Sequence, residues 1–289
     1  ASVDDLTFTL INGGTEYSAT NCDSSASGSL DIPSTYNGLP VTSIGDNAFF
    51  YCSALTSVNI PESVTSIGNS AFENCSNLVT IAIPEGVTSL GRNALVGCTR
   101  LESVSFPSSL VSIGAYLFGG NNSLTNFSVA PGNQHYSTDG FAIFDKTKTR
   151  LLDFASGFSG AYTVPDTVKN IGFESLNNTS TAFWGCEGLT SIVLPDSVEE
   201  TIHSAFAHCT NLSVVTIGSG LSNLGYHTFK HCPSINQFIV DSNNSNFSTD
   251  GLSLFNKNKT HLYYFAGSNT GNYVIPDTVT NIGEYAFSE

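Results

Sequence analysis

The stretch Leu55–Cys75 reads LTSVNIPESVTSIGNSAFENC, and Leu78–Cys98 repeats its pattern as LVTIAIPEGVTSLGRNALVGC. The two copies are twenty-three residues apart, and three further copies can be read at Leu101–Phe118, Leu189–Cys209 and Leu212–Cys232. A fixed period of this length is typical of a solenoid, in which each unit buries its apolar side only by stacking on its neighbours. The repeat predicts an architecture but contains no reaction chemistry.

Within one copy, apolar and polar residues alternate from Leu55 to Pro61, which is the pattern of a strand with one buried face. Stacked copies are expected to form a parallel sheet. Gly68 is expected to permit a turn that other residues would strain to make. Residues 69–72 are expected to form one helical turn, with Asn69 as its cap and Phe72 in the core. The predicted class is a strand-rich α/β repeat solenoid with short helical turns.

A second, longer periodicity of about 111 residues lies above the first. Ser137-Thr138-Asp139-Gly140 returns as Ser248-Thr249-Asp250-Gly251, and the flanking aromatic residues and P-D-T-V sequences return with them. The irregular segments 130–164 and 241–275 are therefore equivalent islands within a larger module rather than linkers.

These patterns predict one solenoid over residues 1–289. Its expected parts are an N-terminal cap at 1–40, repeats at 41–129, an island at 130–164, repeats at 165–240, an island at 241–275 and a truncated repeat at 276–289. Because the last phrase stops before its cysteine position, we expect the natural protein to continue past Glu289.

The composition excludes several function classes. The formal net charge is -15 with few basic residues, so no nucleic acid is expected as a partner, because phosphate binding needs clustered Lys or Arg. No apolar run approaches the length of a membrane helix, so no membrane insertion is expected. No nucleophile elbow, zinc-protease, P-loop or dinucleotide motif is present. We expect no enzymatic activity and no cofactor.

The cysteines recur once per coil and are expected to form a column of small buried thiols. A disulfide remains an alternative, with Cys22 as the odd residue outside the column, whereas zinc would need closely paired ligands. His208 and His231 are one period apart and could share a metal, but surface residues are the simpler interpretation. Asp139 and Asp250 could bind calcium, although Asp-Gly is first a turn signal.

The phrase in Leu55–Cys75 resembles the BspA-like class of leucine-rich repeats, and the islands with S-T-D-G and P-D-T-V resemble segments of the same family. Residues 1–40 resemble the family's amino-terminal cap. The resemblance implies a leucine-rich repeat right-handed superhelix. It also implies a secreted or surface-anchored protein, since several members adhere to host matrix or to other cells. It brings no catalytic residues.

The outward strand positions vary between copies, and repeat solenoids offer such surfaces to partners. We therefore expect a non-catalytic, secreted or cell-surface interaction module. Its expected role is adhesion or partner binding, and its expected ligand is a protein or glycan on a host or neighbouring cell. Val193, Thr216, Ile239 and Val214 would form a mildly apolar patch. The predicted partner-binding residues are Asn59, Ala82, Ser105, Ser128, Val193, Val214, Thr216 and Ile239.

Two alternatives stay open. A carbohydrate-binding module would need exposed aromatic residues on one face, for which the best candidates are Tyr136, Phe158, Tyr162 and Tyr273, although core packing is the simpler role for each. A structural spacer of a larger surface protein would use the stack only to hold another domain away from the cell wall, without a saturable ligand.

Overall fold

The computed structural model of the protein describes residues 1–172, 182–266 and 272–287. The chain divides into two compact units. Unit 1 comprises Ala1–Lys146 and Asp153–Gly157, and unit 2 comprises Thr147–Leu152 and the described residues from Phe158 onward. The single continuous solenoid expected from the sequence, with its caps and islands, stays a prediction.

Unit 1 begins with a short 3₁₀ helix at Val3–Asp5, which is the sole helix among the described residues of the chain. Its strands are β1 Leu6–Ile11, β2 Glu16–Cys22, β3 Gly28–Asp31, β4 Thr35–Tyr36, β5 Leu39–Ile44, β6 Leu55–Asn59, β7 Ser66–Ile67, β8 Thr80–Ile81, β9 Ser89–Leu90, β10 Ser103–Phe106, β11 Ser112–Ile113, β12 Asn126–Val129, β13 Tyr136–Thr138 and β14 Ala142–Asp145.

Two parallel stacks run through the coils of unit 1. The first strand of each coil contributes to β3-β6-β8 and to β10-β12, and a bridge between Ala82 and Ser105 links these two groups. The second, shorter strand contributes to β5-β7-β9-β11, which the antiparallel hairpin β1-β2 extends at its start. The inward residues Val58, Ile81 and Val104 are 2%, 6% and 2% exposed. The period-two prediction for these strands is confirmed.

Unit 2 repeats the arrangement. Its first strands form the parallel sheet β16-β18-β20-β22, its second strands pair as β17-β19-β21, and the second island forms β23-β24-β25-β26. The bounds are β15 Arg150–Phe154, whose residues fall in both units, β16 Gly160–Thr163, β17 Asn170–Ile171, β18 Leu189–Leu194, β19 Glu200–Thr201, β20 Val214–Ile217, β21 Asn223–Leu224, β22 Gln237–Val240, β23 Phe247–Thr249, β24 Ser253–Asn256, β25 His261–Phe265 and β26 Asn281–Ile282.

The expected helical turn at residues 69–72 is wrong. Ser70 and Asn74 have positive φ angles of 51° and 63°, which break the helix. The backbone N–H groups of Ser70, Phe72 and Asn74 point instead to carbonyl oxygens of the next coil, at 2.7–2.9 Å. Asn69 is not a helix cap, because its side-chain oxygen accepts a bond from the N–H of Arg92 in the next coil. The third side of each coil is thus a turn ladder that bonds coil to coil.

Gly68 does not serve a left-handed turn, contrary to the expectation. A Cβ atom at this residue would lie 2.5–2.7 Å from atoms of Asp46 and Gly45 in the preceding coil. Gly91 is equally close to Gly68 and Asn69. The glycine is required because two backbones approach closely where coils stack, and any side chain would separate them.

Aromatic and thiol side chains fill the space between the strands and the turn ladder. Phe49 and Phe72 stack with ring centroids 4.8 Å apart, and Phe183 and Phe206 repeat this contact at 4.8 Å in unit 2. All four rings are fully buried. The core is therefore a column of offset aromatic pairs, a geometry that adds to the stabilisation from area burial. The right-handed superhelix implied by the resemblance stays a prediction.

Candidate functional site

The predicted outward column of unit 2 is present in register. Val193 pairs with Thr216, and Thr216 with Ile239, on three adjacent parallel strands. Ile239 is 43% exposed, whereas Val193 and Thr216 are half-buried. Together with Asp196 they border a shallow depression of about 290 Å³. The strands therefore bring together the three side chains that the sequence placed in one patch.

Val214 belongs to the neighbouring outward column. It pairs with Ser191 on one side and with Gln237 on the other, and its side chain is half-buried. Because residues two apart on a strand share a face, Val214 lies on the same face as Thr216. The patch formed by Val193, Val214, Thr216 and Ile239 is called the unit 2 strand patch below.

The corresponding column of unit 1 is polar. Its members Asn59, Ala82, Ser105 and Ser128 are all exposed. Ser105 pairs with Ser128 and bridges to Ala82, while the Asn59 side-chain amide donates to Asp31. Ala82, Ser105 and Ser128 are in register, but the small and polar side chains of this column offer little apolar surface to a partner.

The aromatic residues that the sequence suggested for sugar binding do not form an exposed face. Tyr136 and Tyr162 are buried, at 8% and 7% exposure, and Phe158 is half-buried. Tyr136 is used inside the fold, because its hydroxyl accepts from the N–H of Ile113 and donates to the carbonyl of Val111. Tyr273 donates its hydroxyl to Asp250 at 2.6 Å. The burial of Tyr136 and Tyr162 agrees with core packing, the simpler role expected for these residues.

Unit 2 instead has an aromatic groove that the sequence patterns did not indicate. Two adjoining cavities of about 660 and 410 Å³ share Leu224, Gly225, Tyr226 and Tyr263 in their walls. Tyr226 is 73% exposed, the highest exposure of any described large aromatic side chain. This feature is called the Tyr226 groove below.

Two equivalent positions of the duplicated module differ where the groove lies. Where unit 1 has Tyr136, whose hydroxyl bonds the edge of strand β11, unit 2 has Phe247, which has no hydroxyl for the edge of β21. Where unit 1 has Ala115, unit 2 has Tyr226. The contrast between Tyr136 and Phe247 beside the duplicated S-T-D-G motif was the available signal in the sequence.

The histidines fall into two groups. His208 and His231 stack on each other with ring centroids 4.7 Å apart, and Trp184 packs on His208 at 5.2 Å. Burial lowers the pKa of His208, and the charges of His231 and Lys230 lower it further. His203 and His227 lie in the Tyr226 groove, where His227 is 3.4 Å from a carboxylate oxygen of Glu284. Within the described ranges, no three metal-ligating side chains converge.

The two Asp-Gly motifs stabilise turns. Oδ1 of Asp139 accepts N–H bonds from Phe141 and Ala142 at 3.0 and 2.9 Å, and Oδ1 of Asp250 accepts those of the equivalent residues two and three positions on. The carboxylates therefore act as turn caps, in the manner expected of Asp before Gly.

The cysteines are buried free thiols, as expected from their recurrence. Cys75, Cys98, Cys209 and Cys232 each donate the thiol to the carbonyl of a phenylalanine one coil earlier, for example Cys98 to Phe72 at 3.2 Å and Cys209 to Phe183 at 3.0 Å. Burial raises the pKa of Cys98 to about 12. The column is structural, because its members bond inward and are shielded from solvent.

The islands supply a second kind of buried oxygen. In unit 1 the Asp153 carboxylate accepts backbone N–H bonds from Phe154, Phe118 and Leu117, and burial raises its pKa to about 8. In unit 2 the equivalent residue is Tyr264, whose hydroxyl meets the N–H groups of Phe229 and Thr228. Burial raises the pKa of Tyr264 to about 12. Both side chains satisfy N–H groups of a turn segment that has no further coil in its ladder.

In the described part of the chain, no helix has the length and apolarity needed to cross a bilayer.

The chain was compared with protein families, curated proteins and solved structures. A model of the "BspA type Leucine rich repeat region" matches in six copies, over residues 42–163, 162–259 and 258–289. No curated protein matches. Among solved structures, the pneumococcal vaccine antigen PcpA is 17% identical with a TM-score of 0.54, over 98% of this chain and 93% of that one.

Two other similar structures are a leucine-rich repeat protein of T. pallidum and a leucine-rich cell surface protein of Faecalibacterium prausnitzii. The first is 23% identical with a TM-score of 0.46, over 80% of this chain and 88% of that chain. The second is 18% identical with a TM-score of 0.39, over 96% and 93%. Because the family model covers most of the sequence, and the structure has the stacked parallel strands of a solenoid, the chain belongs to the BspA-type leucine-rich repeat family.

Proposed function

We propose that this chain is a non-catalytic interaction module, secreted or exposed on a cell surface, that binds a partner protein through the unit 2 strand patch. The observation that carries the proposal is the register of Val193, Thr216 and Ile239 on adjacent strands. Three β-branched side chains in a row place the methyl groups of Val193, Thr216 and Ile239 side by side on the sheet. Such a strip with a polar border is typical of protein-binding surfaces.

Membership of the family supports the surface location, because the family resemblance implies a secreted or surface-anchored protein. The composition agrees, because the chain combines few charged residues with a net charge of -15. Adhesion to host matrix is the specific role that we propose, and it follows from the family rather than from a feature of the site.

The double variant Val193→Asp with Ile239→Asp tests this role. Two carboxylates in the strip would have to be desolvated on binding, so we expect at least a tenfold loss of affinity. Binding would be measured by biolayer interferometry against purified fibronectin, fibrinogen, laminin and collagen. Val274→Asp is the matched control, because Val274 is 83% exposed in the same unit and lies outside the patch.

The result separates the alternatives. Loss of binding in the double variant alone supports the patch. If the unmodified chain, the double variant and Val274→Asp all bind with equal affinity, the unit 2 strand patch is excluded as the binding site. If the unmodified chain binds none of the four matrix proteins, the adhesion role is rejected and a structural spacer becomes the better explanation.

A further inference from the structure

We infer that the Tyr226 groove is a binding site for a neutral oligosaccharide, separate from the unit 2 strand patch. The two cavities that form the groove, of about 660 and 410 Å³, each fall within the range of small-molecule sites, which is about 300–1,000 Å³. Because they adjoin along Tyr226 and Tyr263, they suit an extended ligand of several sugar rings rather than a single compact one.

The two tyrosine rings of the groove, Tyr226 and Tyr263, pack against other aromatic side chains. The Tyr226 ring meets the His203 ring edge-to-face, with centroids 4.9 Å apart, while most of its surface stays open to solvent. Tyr263 packs against Phe247 at 5.6 Å and against His261 at 4.4 Å. An exposed aromatic ring can stack on the C–H face of a pyranose. This contact removes apolar surface of the aromatic ring and of the sugar from water.

Polar groups suited to hydroxyls border these rings. The carboxylates of Glu200 and Glu284 can accept hydrogen bonds, and the amide of Asn223 can both donate and accept. Asn223 and Glu284 are exposed, and the side chain of Glu284 is 75% exposed. Hydroxyl groups of a sugar need both kinds of partner, so the donor and acceptor set matches this ligand class.

The charged residues of the groove favour a neutral ligand over an acidic one. Among the described residues that line the two cavities, none is Lys or Arg, while Glu200 and Glu284 are both acidic. A sulfated, sialylated or phosphorylated ligand would bring its negative charge next to these carboxylates with no lysine or arginine to compensate it, and His227 already faces Glu284. A neutral glycan meets no such cost.

An extended peptide is the competing ligand, because strand β21 lies at the end of its sheet. Strand addition gains its affinity from a run of main-chain hydrogen bonds along an edge. Strand β21 contains only Asn223 and Leu224, so it offers too short an edge for a stable added strand. The open ring of Tyr226 is better explained by stacking than by strand pairing.

The test uses the full chain on an array of neutral gluco-, manno-, xylo-, galacto- and N-acetylglucosamine oligosaccharides, followed by titration calorimetry with the strongest hit. Tyr226→Ala introduces the residue found at the equivalent position of unit 1, Ala115, so we expect it to fold normally. We expect its affinity to fall at least tenfold, and that of Glu284→Gln about threefold. Phe50→Ala is the matched control, since Phe50 is a 42% exposed aromatic residue of unit 1.

Binding of a neutral glycan that Tyr226→Ala weakens and Phe50→Ala leaves unchanged supports the inference. It is overturned if no neutral glycan binds, if Tyr226→Ala binds as tightly as the unmodified chain, or if a displayed-peptide selection finds peptides in this groove while the array finds no glycan. The Val193→Asp and Ile239→Asp double variant should keep its glycan affinity, so the outcome is independent of the proposed protein-binding role.

Discussion

The two units end their turn ladders with different chemistry at equivalent positions. Unit 1 places the carboxylate of Asp153 against the N–H groups of Leu117 and Phe118, whereas unit 2 places the hydroxyl of Tyr264 against those of Thr228 and Phe229. Both solutions supply an oxygen that accepts bonds in a buried place, where an unpaired N–H would be costly. The fold requires a hydrogen-bond acceptor at this position, and either a carboxylate or a hydroxyl can supply it.

The cysteine position shows the same rule with a donor. Cys232 in unit 2 donates its thiol to the carbonyl of Phe206, and at the equivalent position in unit 1 the amide of Asn121 donates to the carbonyl of Leu95. The edge strands β11 of unit 1 and β21 of unit 2 differ more than the cysteine positions do. The hydroxyl of Tyr136 bonds the edge of unit 1, while Phe247 at the equivalent position of unit 2 has no hydroxyl. The two edges therefore differ in this hydroxyl, and the Tyr226 groove lies beside the edge that lacks it.

The largest expected effect comes from the glycine position of the coils. Gly91→Ile in unit 1 copies the residue found at the corresponding repeat position in unit 2, where Ile202 is tolerated. At Gly91 a Cβ would lie within 2.6 Å of backbone atoms of the preceding coil. We expect a loss of about 3 kcal/mol or more in the free energy of unfolding, measured by urea denaturation.

Ile202→Gly is the reciprocal control, and it should cost about 1–2 kcal/mol, through backbone entropy and loss of the half-buried isoleucine side chain. Equal effects of the two changes would show that the close approach of coils is not what excludes a side chain from Gly91.

Asp153 should make unit 1 less stable as the pH rises. Its pKa in the folded state is raised, so the folded state holds the proton more tightly than the unfolded state does. The resulting stability is complete below about pH 4 and is lost as the pH rises toward about 8. Asp153→Asn keeps an acceptor oxygen without a charge, so at pH 9 we expect it to raise the free energy of unfolding by about 2 kcal/mol.

Melting temperatures at pH 5, 7 and 9 would check this prediction. Asp166→Asn, a change at an exposed aspartate, should leave the pH dependence as it is in the unmodified chain. A melting temperature of Asp153→Asn that falls with pH as steeply as that of the control would contradict the role given to Asp153.

Tyr136→Phe converts the edge of unit 1 to the sequence of unit 2. It removes one bond from the N–H of Ile113 and one to the carbonyl of Val111. We expect a loss of about 1–2 kcal/mol in the free energy of unfolding, because both partners are left in a poorly solvated place. Thermal denaturation measures the change.

Phe247→Tyr is the reverse substitution in unit 2. If the groove reflects the missing hydroxyl, this variant should be at least as stable as the unmodified chain and should bind the groove ligand less well. A marked loss of stability would show that the two edges differ by more than this one oxygen.

Thiol labelling compares the units with the smallest perturbation, since it needs no substitution. Burial raises the pKa of Cys98 to about 12, and burial raises that of Cys209 as the largest of several causes. We expect slow reaction of both with a thiol reagent at pH 8 in the native state and rapid reaction in denaturant. Rapid native labelling of the column cysteines would contradict their burial. A difference in rate between Cys98 and Cys209 would show which unit opens more easily.

The local features of each coil could be predicted because they depend on residues close in sequence. Alternation around Val58 indicated a strand, and the recurrence of Cys52, Cys75 and Cys98 indicated a buried column, since all three are fully buried. The outward register of Val193, Thr216 and Ile239 followed from the period alone. Because the coils have equal lengths, equivalent positions of successive coils lie next to each other. The sequence period was therefore sufficient to predict which residues are neighbours.

The turn ladder could not be predicted in this way. A helical turn at 69–72 satisfies local propensity, but the N–H of Phe72 finds a better partner in Ala94, which lies one coil further along the chain. The need for Gly68 likewise arises from the approach of Asp46 and Gly45. Bonds and contacts between coils decide both features, and local residue preferences do not contain them.

By itself the sequence determined the family, the stacking of strands, the burial of the thiols and the membership of the outward columns, because a strict period repeats every local choice. Only the tertiary structure decided which aromatic residues are exposed, why the coil glycines are needed and where the groove opens. Those features depend on single differences, such as Tyr136 against Phe247, whose effect appears only when distant segments pack against each other. A period describes what is the same in every coil, and binding sites arise where one coil differs.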